Sequence, residues 1–312
     1  QQDMMQVDQV IASRLNTGVP LVGQVCQYII SAGGKRLRPA LLLMMAGALK
    51  YQQATRFQLA AVVEFIHTAT LLHDDVVDES TLRRGRDTAN QLFGNAASVL
   101  VGDFLYSRAF QMMVEVNHMR VMEVLAEATN VIAEGEVMQL MNTRNADLTH
   151  EEYLQVIRSK TAKLFEASAR LPAIVAGLST EIENACAEYG QALGTAFQII
   201  DDVLDYDGDV QTLGKNLGDD LREGKVTLPM IYAMAHVAAE HKHLLVDAIE
   251  TGGNVDLDRV LLLIRQSGAL EFTRAAAWAE AQRAMDALTH LPETRFKEGL
   301  LQLARSLQHR RH

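Results

Sequence analysis

Apolar residues recur at three- and four-residue spacing along almost the whole 312-residue chain, and no stretch alternates apolar with polar residues as a half-buried strand would. This periodicity predicts helices over residues 39–50, 56–78, 96–116, 119–142, 149–169 and 182–206. Those segments are rich in Ala, Leu, Met, Glu and Gln, which lose little side-chain freedom in a helix. Thr149, followed by Glu151 and Glu152, has the chemistry of a helix start: a hydroxyl cap, then carboxylates at the positive end of the helix dipole. Breaks fall at 17–20, 33–34, 144–148, 208–224, 252–253 and Pro292. No low-complexity tract or long linker divides the chain, so one all-α domain over 1–312 is expected.

Hydrophobic residues make up 48% of the chain and charged residues 22%, enough apolar surface for a core and too much for a disordered chain. The net charge of −10 argues against a nucleic-acid partner, because duplex binding needs a basic face. Short basic spots such as Lys35-Arg36-Leu37-Arg38 suit a small polyanion better. Cys26 and Cys186 form no motif, so no disulfide and a reducing, cytoplasmic setting are expected. The start lacks a basic segment followed by an apolar run, so no signal peptide is expected. No run of 18 apolar residues predicts a membrane span.

Two acidic motifs carry the chemistry. Asp74-Asp75-Val76-Val77-Asp78 and Asp201-Asp202-Val203-Leu204-Asp205 each end a strongly apolar helical segment. The spacing puts Asp74 and Asp78 on one helix face, with Asp75 about 100° away. Asp201, Asp202 and Asp205 repeat the pattern. One copy could be a solvated helix end. Two copies on core-directed helices point to carboxylates at the mouth of a cavity. Like charges about 4 Å apart repel by roughly 4 kcal/mol at an effective dielectric near 20, so such a cluster calls for cations. Oxygen-only ligands suit Mg²⁺, which binds one or two carboxylates together with substrate phosphates and water. No His/Cys set has zinc spacing. Diphosphate would also need direct cations. Lys35 and Arg38 follow Gly33-Gly34, Arg83 and Arg84 follow the first motif, Lys160 precedes Thr161, and Lys215 and Lys225 follow the second motif. Each alone reads more readily as a surface charge. His67, seven residues before Asp74, reads more readily as a satisfied core histidine, and Gln198, three before Asp201, reads also as a buried amide.

Taken in order, these segments resemble the trans-isoprenyl diphosphate synthase family over nearly the whole chain. The resemblance rests on Gly33-Gly34-Lys35-Arg36-Leu37-Arg38-Pro39, on Leu71-Leu72-His73 leading into Asp74 with Arg83-Arg84-Gly85 behind it, on Lys160-Thr161, on Phe197-Gln198-Ile199-Ile200 leading into Asp201, and on Gly214-Lys215-Asn216 through Asp219-Asp220 to Lys225. It implies an antiparallel helical bundle around a central apolar cavity, working as a homodimer. It also implies Mg²⁺-dependent head-to-tail condensation of isopentenyl diphosphate onto an allylic diphosphate, with farnesyl diphosphate as the expected starter. The resemblance places Asp74, Asp75, Asp78, Asp201, Asp202 and Asp205 on the metal. Arg83, Lys160, Thr161, Gln198, Lys215 and Lys225 fall on the allylic diphosphate, and Lys35, Arg38, His67 and Arg84 on isopentenyl diphosphate. Around 64–78 and 94–113 the chain is closest to bacterial members that make eight-unit quinone side-chain precursors. Ala69, five residues before Asp74, is small where short-chain members are bulky, which favours a long product. Phe110, Met113 and Leu125 are candidates for the tunnel floor and equally for ordinary core. A terpene cyclase would not need the Lys35/Arg38/His67 set. A non-catalytic partner subunit would be expected to lose aspartates, and a cation-binding scaffold leaves the basic set unexplained.

Overall fold

The computed structural model describes residues 2–83, 85–207, 217–252 and 256–310. Among them the chain is all-α apart from one two-residue ribbon. In order, the helices are α1 Gln2–Arg14, α2 Pro20–Ser31, α3 Leu37–Ala48, α4 Thr55–Val77, α5 Ala89–Phe93, α6 Asn95–Val116, α7 Met119–Met141, α8 His150–Ile157, α9 Lys163–Val175, α10 Thr180–Asp207, α11 Asp219–Arg222, α12 Leu228–His236, α13 Ala239–Thr251, α14 Leu257–Gln266, α15 Ala269–Ala287 and α16 Arg295–Ser306. Leu82–Arg83 and Arg86–Asp87 pair antiparallel as β1 and β2.

The expected helices appear within a few residues of their predicted limits. The exception is 149–169, which is interrupted by a π turn at Arg158–Ala162 between α8 and α9. Thr149 caps α8: its side chain accepts the Glu152 backbone N–H while Glu152 accepts from the Thr149 N–H, so two otherwise orphaned donors are satisfied reciprocally. No helix among the described residues is long and apolar enough to cross a membrane.

The chain forms two compact units. The first comprises residues 1–129, 164–187 and 288–300; the second comprises 130–163, 188–287 and 301–312. In the first, α4 packs against α1, α3 and α6. It buries residues around its whole circumference, from Leu59 through Ala69 and Leu72 to Asp75, as expected of a helix at the centre of a core. Its last turn ends at the first acidic motif. The Asp78 N–H bonds the Asp74 carbonyl at 2.8 Å, and Glu79 then turns into the left-handed region at φ 52°, which stops the helix. In the second unit, Ile199, Ile200, Val203, Leu204 and Tyr206 from the end of α10 share a buried cluster with Leu228 and Met230 of α12 and Val260 and Ile264 of α14. The second acidic motif is threaded through these apolar positions.

Candidate active site

In the first unit the three carboxylates of the first motif have different surroundings. Asp74 and Asp78 are half-buried, whereas Asp75 is fully buried. A lone buried carboxylate would be costly, and Arg83 answers it. Its Nε donates to Asp75 Oδ1 at 2.9 Å, and its Nη2 to the same oxygen at 2.6 Å. The Gly85 turn, at φ 72°, folds β2 back on β1 and brings Arg83 to the end of α4. Burial alone would lower the Arg83 pKa. The Asp75 hydrogen bond and the charges of Asp75, Asp74 and Asp78 outweigh it, and the pKa is raised. Asn90 Nδ2 also donates to the Asp75 carbonyl at 3.3 Å, tying α5 to the motif.

Arg38 and His67, assigned together by the sequence, meet in the first unit: Arg38 Nη1 lies 3.2 Å from His67 Nε2, and the guanidinium stacks 4.4 Å above the Phe165 ring. Lys35 stands exposed just before α3. Arg84 and Lys215 lie outside the described residues. Ala69, Met113 and Leu125 are fully buried in this unit, and Phe110 is half-buried.

In the second unit Asp201 is half-exposed and ion-paired with Arg310 Nη2 at 2.7 Å; the same guanidinium lies 4.1 Å above the Phe197 ring. Asp202 is buried with both oxygens engaged: Gln198 Nε2 donates to Oδ1 at 2.8 Å and the Tyr153 hydroxyl to Oδ2 at 2.5 Å. Burial, then the charge of Asp220, push its pKa up, and the Tyr153 and Gln198 bonds oppose that rise. Asp205 is fully buried, and its Oδ2 accepts the Asp220 backbone N–H at 3.3 Å, which returns α11 onto the motif. The π turn carries Lys160 and Thr161. Lys160 Nζ donates to Glu136 Oε2 and Gln139 Oε1 of α7, both at 2.7 Å. Thr161 Oγ1 donates to Gln198 Oε1 at 3.1 Å. Lys225 Nζ bonds Glu223 Oε2 at 2.6 Å. The sequence had not singled out Tyr153, Arg310, Glu136 or Gln139. For Arg310 the basic His309-Arg310-Arg311-His312 end was the available signal; Tyr153 reads as an ordinary core aromatic.

The donor set tests the expected metal. Among the described residues no three His, Cys, Asp or Glu side chains converge into a ready-made cage. Within the first unit the solvent-reaching donors of the motif are hard carboxylate oxygens, an i, i+4 pair in Asp74 and Asp78; within the second it is the carboxylate of Asp201. Each by itself fits an octahedral divalent cation that completes its shell with phosphate oxygens and water rather than with protein. Nitrogen- or sulfur-preferring metals find no partners there.

Residues 19–262 match the polyprenyl synthetase family. The chain is 53% identical over 304 residues to the octaprenyl diphosphate synthase of Escherichia coli strain K12, covering 97% of this chain and 94% of that protein. It superposes with a TM-score of 0.96 on a polyprenyl synthase of Caulobacter crescentus complexed with calcium and isoprenyl diphosphate, at 45% identity, covering 100% of this chain and 95% of that one. A decaprenyl diphosphate synthase of Rhodobacter capsulatus gives 0.94 at 46% identity, covering 100% and 97%.

Proposed function

The chain belongs to the polyprenyl synthetase family, and from that premise we propose that it is a long-chain all-trans-polyprenyl diphosphate synthase that adds isopentenyl diphosphate to farnesyl diphosphate until eight units are joined. The observation that carries this reading is the 53% identity to an octaprenyl synthase over 97% of the chain, together with six motif aspartates intact at 74, 75, 78, 201, 202 and 205. A terpene cyclase or an inert partner subunit would not require the full set. Identity to the octaprenyl enzyme exceeds that to the decaprenyl one, which favours eight units over ten.

The reaction breaks an allylic C–O bond, whose electron pair leaves with diphosphate. The isopentenyl double bond then attacks the cation, and the released diphosphate takes up the proton whose loss restores an allylic diphosphate. Asp74, Asp78 and Asp201 would hold Mg²⁺ against the allylic diphosphate. When bound, the metal would stabilise charge building on the leaving group. Asp75, Asp202 and Asp205 sit behind them in the motifs. Arg83, Lys160, Lys215 and Lys225 add positive charge toward the leaving diphosphate. Lys35, Arg38, His67 and Arg84 would bind isopentenyl diphosphate. Arg38 is already oriented by His67 and Phe165, so less rotamer freedom is lost on binding. Thr161 and Gln198 would face the reacting carbon, and apolar walls would keep water from quenching the cation. Ala69 leaves room for a growing chain, and Phe110, Met113 and Leu125 would set its end. Both units would act as one polyprenyl synthase domain, in a cytoplasmic homodimer.

The test is a product ladder. Purified protein with farnesyl diphosphate, labelled isopentenyl diphosphate and Mg²⁺ yields products ending at eight units, and EDTA abolishes them. Consumption of farnesyl diphosphate without label incorporation would refute elongation in favour of cyclisation.

A further inference from the structure

Asp202 is expected from the family pattern to hold metal, yet its carboxylate faces inward. It is 2% exposed, and each oxygen has a protein donor. Those contacts extend a single hydrogen-bonded chain, all within the second unit: Tyr153 hydroxyl to Asp202, Gln198 amide to Asp202, Thr161 hydroxyl to Gln198. The direction of every bond is set from its buried root. Gln198 donates from Nε2 to Asp202 Oδ1 and so turns its Oε1 toward Thr161. Oε1 accepts only, so Thr161 must give it its single hydroxyl proton. What Thr161 has left for anything else is lone pairs.

We propose that Tyr153 is a positioning residue for the ionisation step: through Asp202 and Gln198 it fixes the Thr161 proton, so that the Thr161 oxygen meets the developing allylic cation solely as an acceptor. This rests on the synthase reading above. The arrangement has a chemical logic. A carboxylate placed directly beside an allylic cation is a nucleophile and would trap it as an ester. A hydroxyl whose proton is held elsewhere offers the negative end of a fixed dipole with far weaker nucleophilicity. Because the dipole is set before reaction, no reorganisation is needed as charge develops. The π turn supports this placement. Gly135 of α7 lies so close to Lys160 N and Ser159 that any side chain there would collide, so the turn carrying Thr161 is pressed into a fixed position.

The test is Tyr153→Phe, assayed for the first condensation alongside wild type, with melting followed by circular dichroism. The expected result is a kcat about tenfold lower, the low end of what outer-shell partners are worth, with KM for both substrates within about twofold. In a Thr161→Val background the same change should cost under about twofold, because the end of the chain has gone. Equal losses in both backgrounds, or an undiminished kcat, would overturn the proposal. Should Tyr153→Phe not fold, Asp202→Asn enters the chain one bond later. There the proposal requires lowered kcat with half-activating Mg²⁺ unchanged; a clear rise in the Mg²⁺ requirement would make Asp202 a metal ligand and overturn it. A wild-type chain that never incorporates isopentenyl diphosphate would refute the underlying synthase reading, an outcome distinct from a Tyr153→Phe variant as fast as an active wild type.

Discussion

Gly135→Ala isolates how tightly the π turn must be held. A Cβ at 135 would lie 2.7 Å from Lys160 N, 2.9 Å from Ser159 Cβ and 3.0 Å from the Ser159 carbonyl carbon. The first of these is about 0.7 Å short of ordinary contact, and a backbone nitrogen cannot swing aside as a side-chain tip can. Overpacking of this kind costs about 1–3 kcal/mol. Alanine at a helix interior regains roughly 1 kcal/mol over glycine. The two partly offset, so the net loss is about 0–2 kcal/mol and, for a chain of 312 residues, the melting temperature drops by only about 0–3 °C. The relief must come from moving the turn that carries Lys160 and Thr161, by about half an ångström or more, and displacements near 1 Å can cost about 100-fold in rate. The expected outcome is therefore a kcat at least about tenfold lower with modest thermal change. The assay pairs initial rates of label incorporation with thermal melts. An alanine variant as fast as wild type would show that the turn absorbs the clash without moving the reacting groups, and the reasoning would fail.

Ala69→Tyr, at a fully buried position of α4, should shorten the product, read by sizing the ladder on reversed phase; an unchanged length distribution would remove Ala69 from chain-length control. Arg83→Met leaves the buried Asp75 carboxylate without its guanidinium, and a loss of about 3 kcal/mol or more is expected in denaturant titrations, the scale for breaking a buried pair. Glu152→Ala gives a pH-dependent effect. The Thr149 backbone N–H and then its hydroxyl hold the Glu152 carboxyl below its usual pKa, so the stabilisation is full above the unfolded value and is lost as pH falls through the lowered folded one. The gap in melting temperature between Glu152→Ala and wild type should thus be present at pH 7 and narrow as pH falls below the ordinary carboxylate range; a gap independent of pH would contradict it.

Much of the helical architecture is legible because periodicity and local chemistry agree. Thr149 with Glu152 marks a helix start within four residues, and that start forms as read. The π turn at Arg158–Ala162 was not legible, because one extra residue per turn leaves the apolar spacing of 149–169 nearly unchanged. Its surroundings include Gly135, more than twenty residues upstream, and nothing local to 158–162 announces that approach. The same holds for Asp202: its inward orientation depends on Tyr153, 49 residues earlier, and on a core that only the fold assembles. Arg83 on Asp75 was missed for a smaller reason. The ribbon that carries Arg83 back has only two residues in each strand, Leu82–Arg83 and Arg86–Asp87, too few for any strand pattern to register.

The two acidic motifs look like copies in sequence but are electrically different in the fold. Helical spacing turns the second aspartate of each about 100° from the first, into the interior. An inward carboxylate must find partners, and the two copies find different ones. Asp75 receives a guanidinium, which cancels its charge and leaves Asp74 and Asp78 as the outward pair. Asp202 receives a phenol and an amide, each donating to one of its oxygens. The third aspartates differ for a backbone reason. α4 stops at Val77, leaving Asp78 half-buried at its cap, whereas α10 continues to Asp207 and carries Asp205 wholly inside. The first motif thus presents two carboxylates outward, whereas the second presents one and holds Asp202 inside, hydrogen-bonded to Gln198 and through it to Thr161.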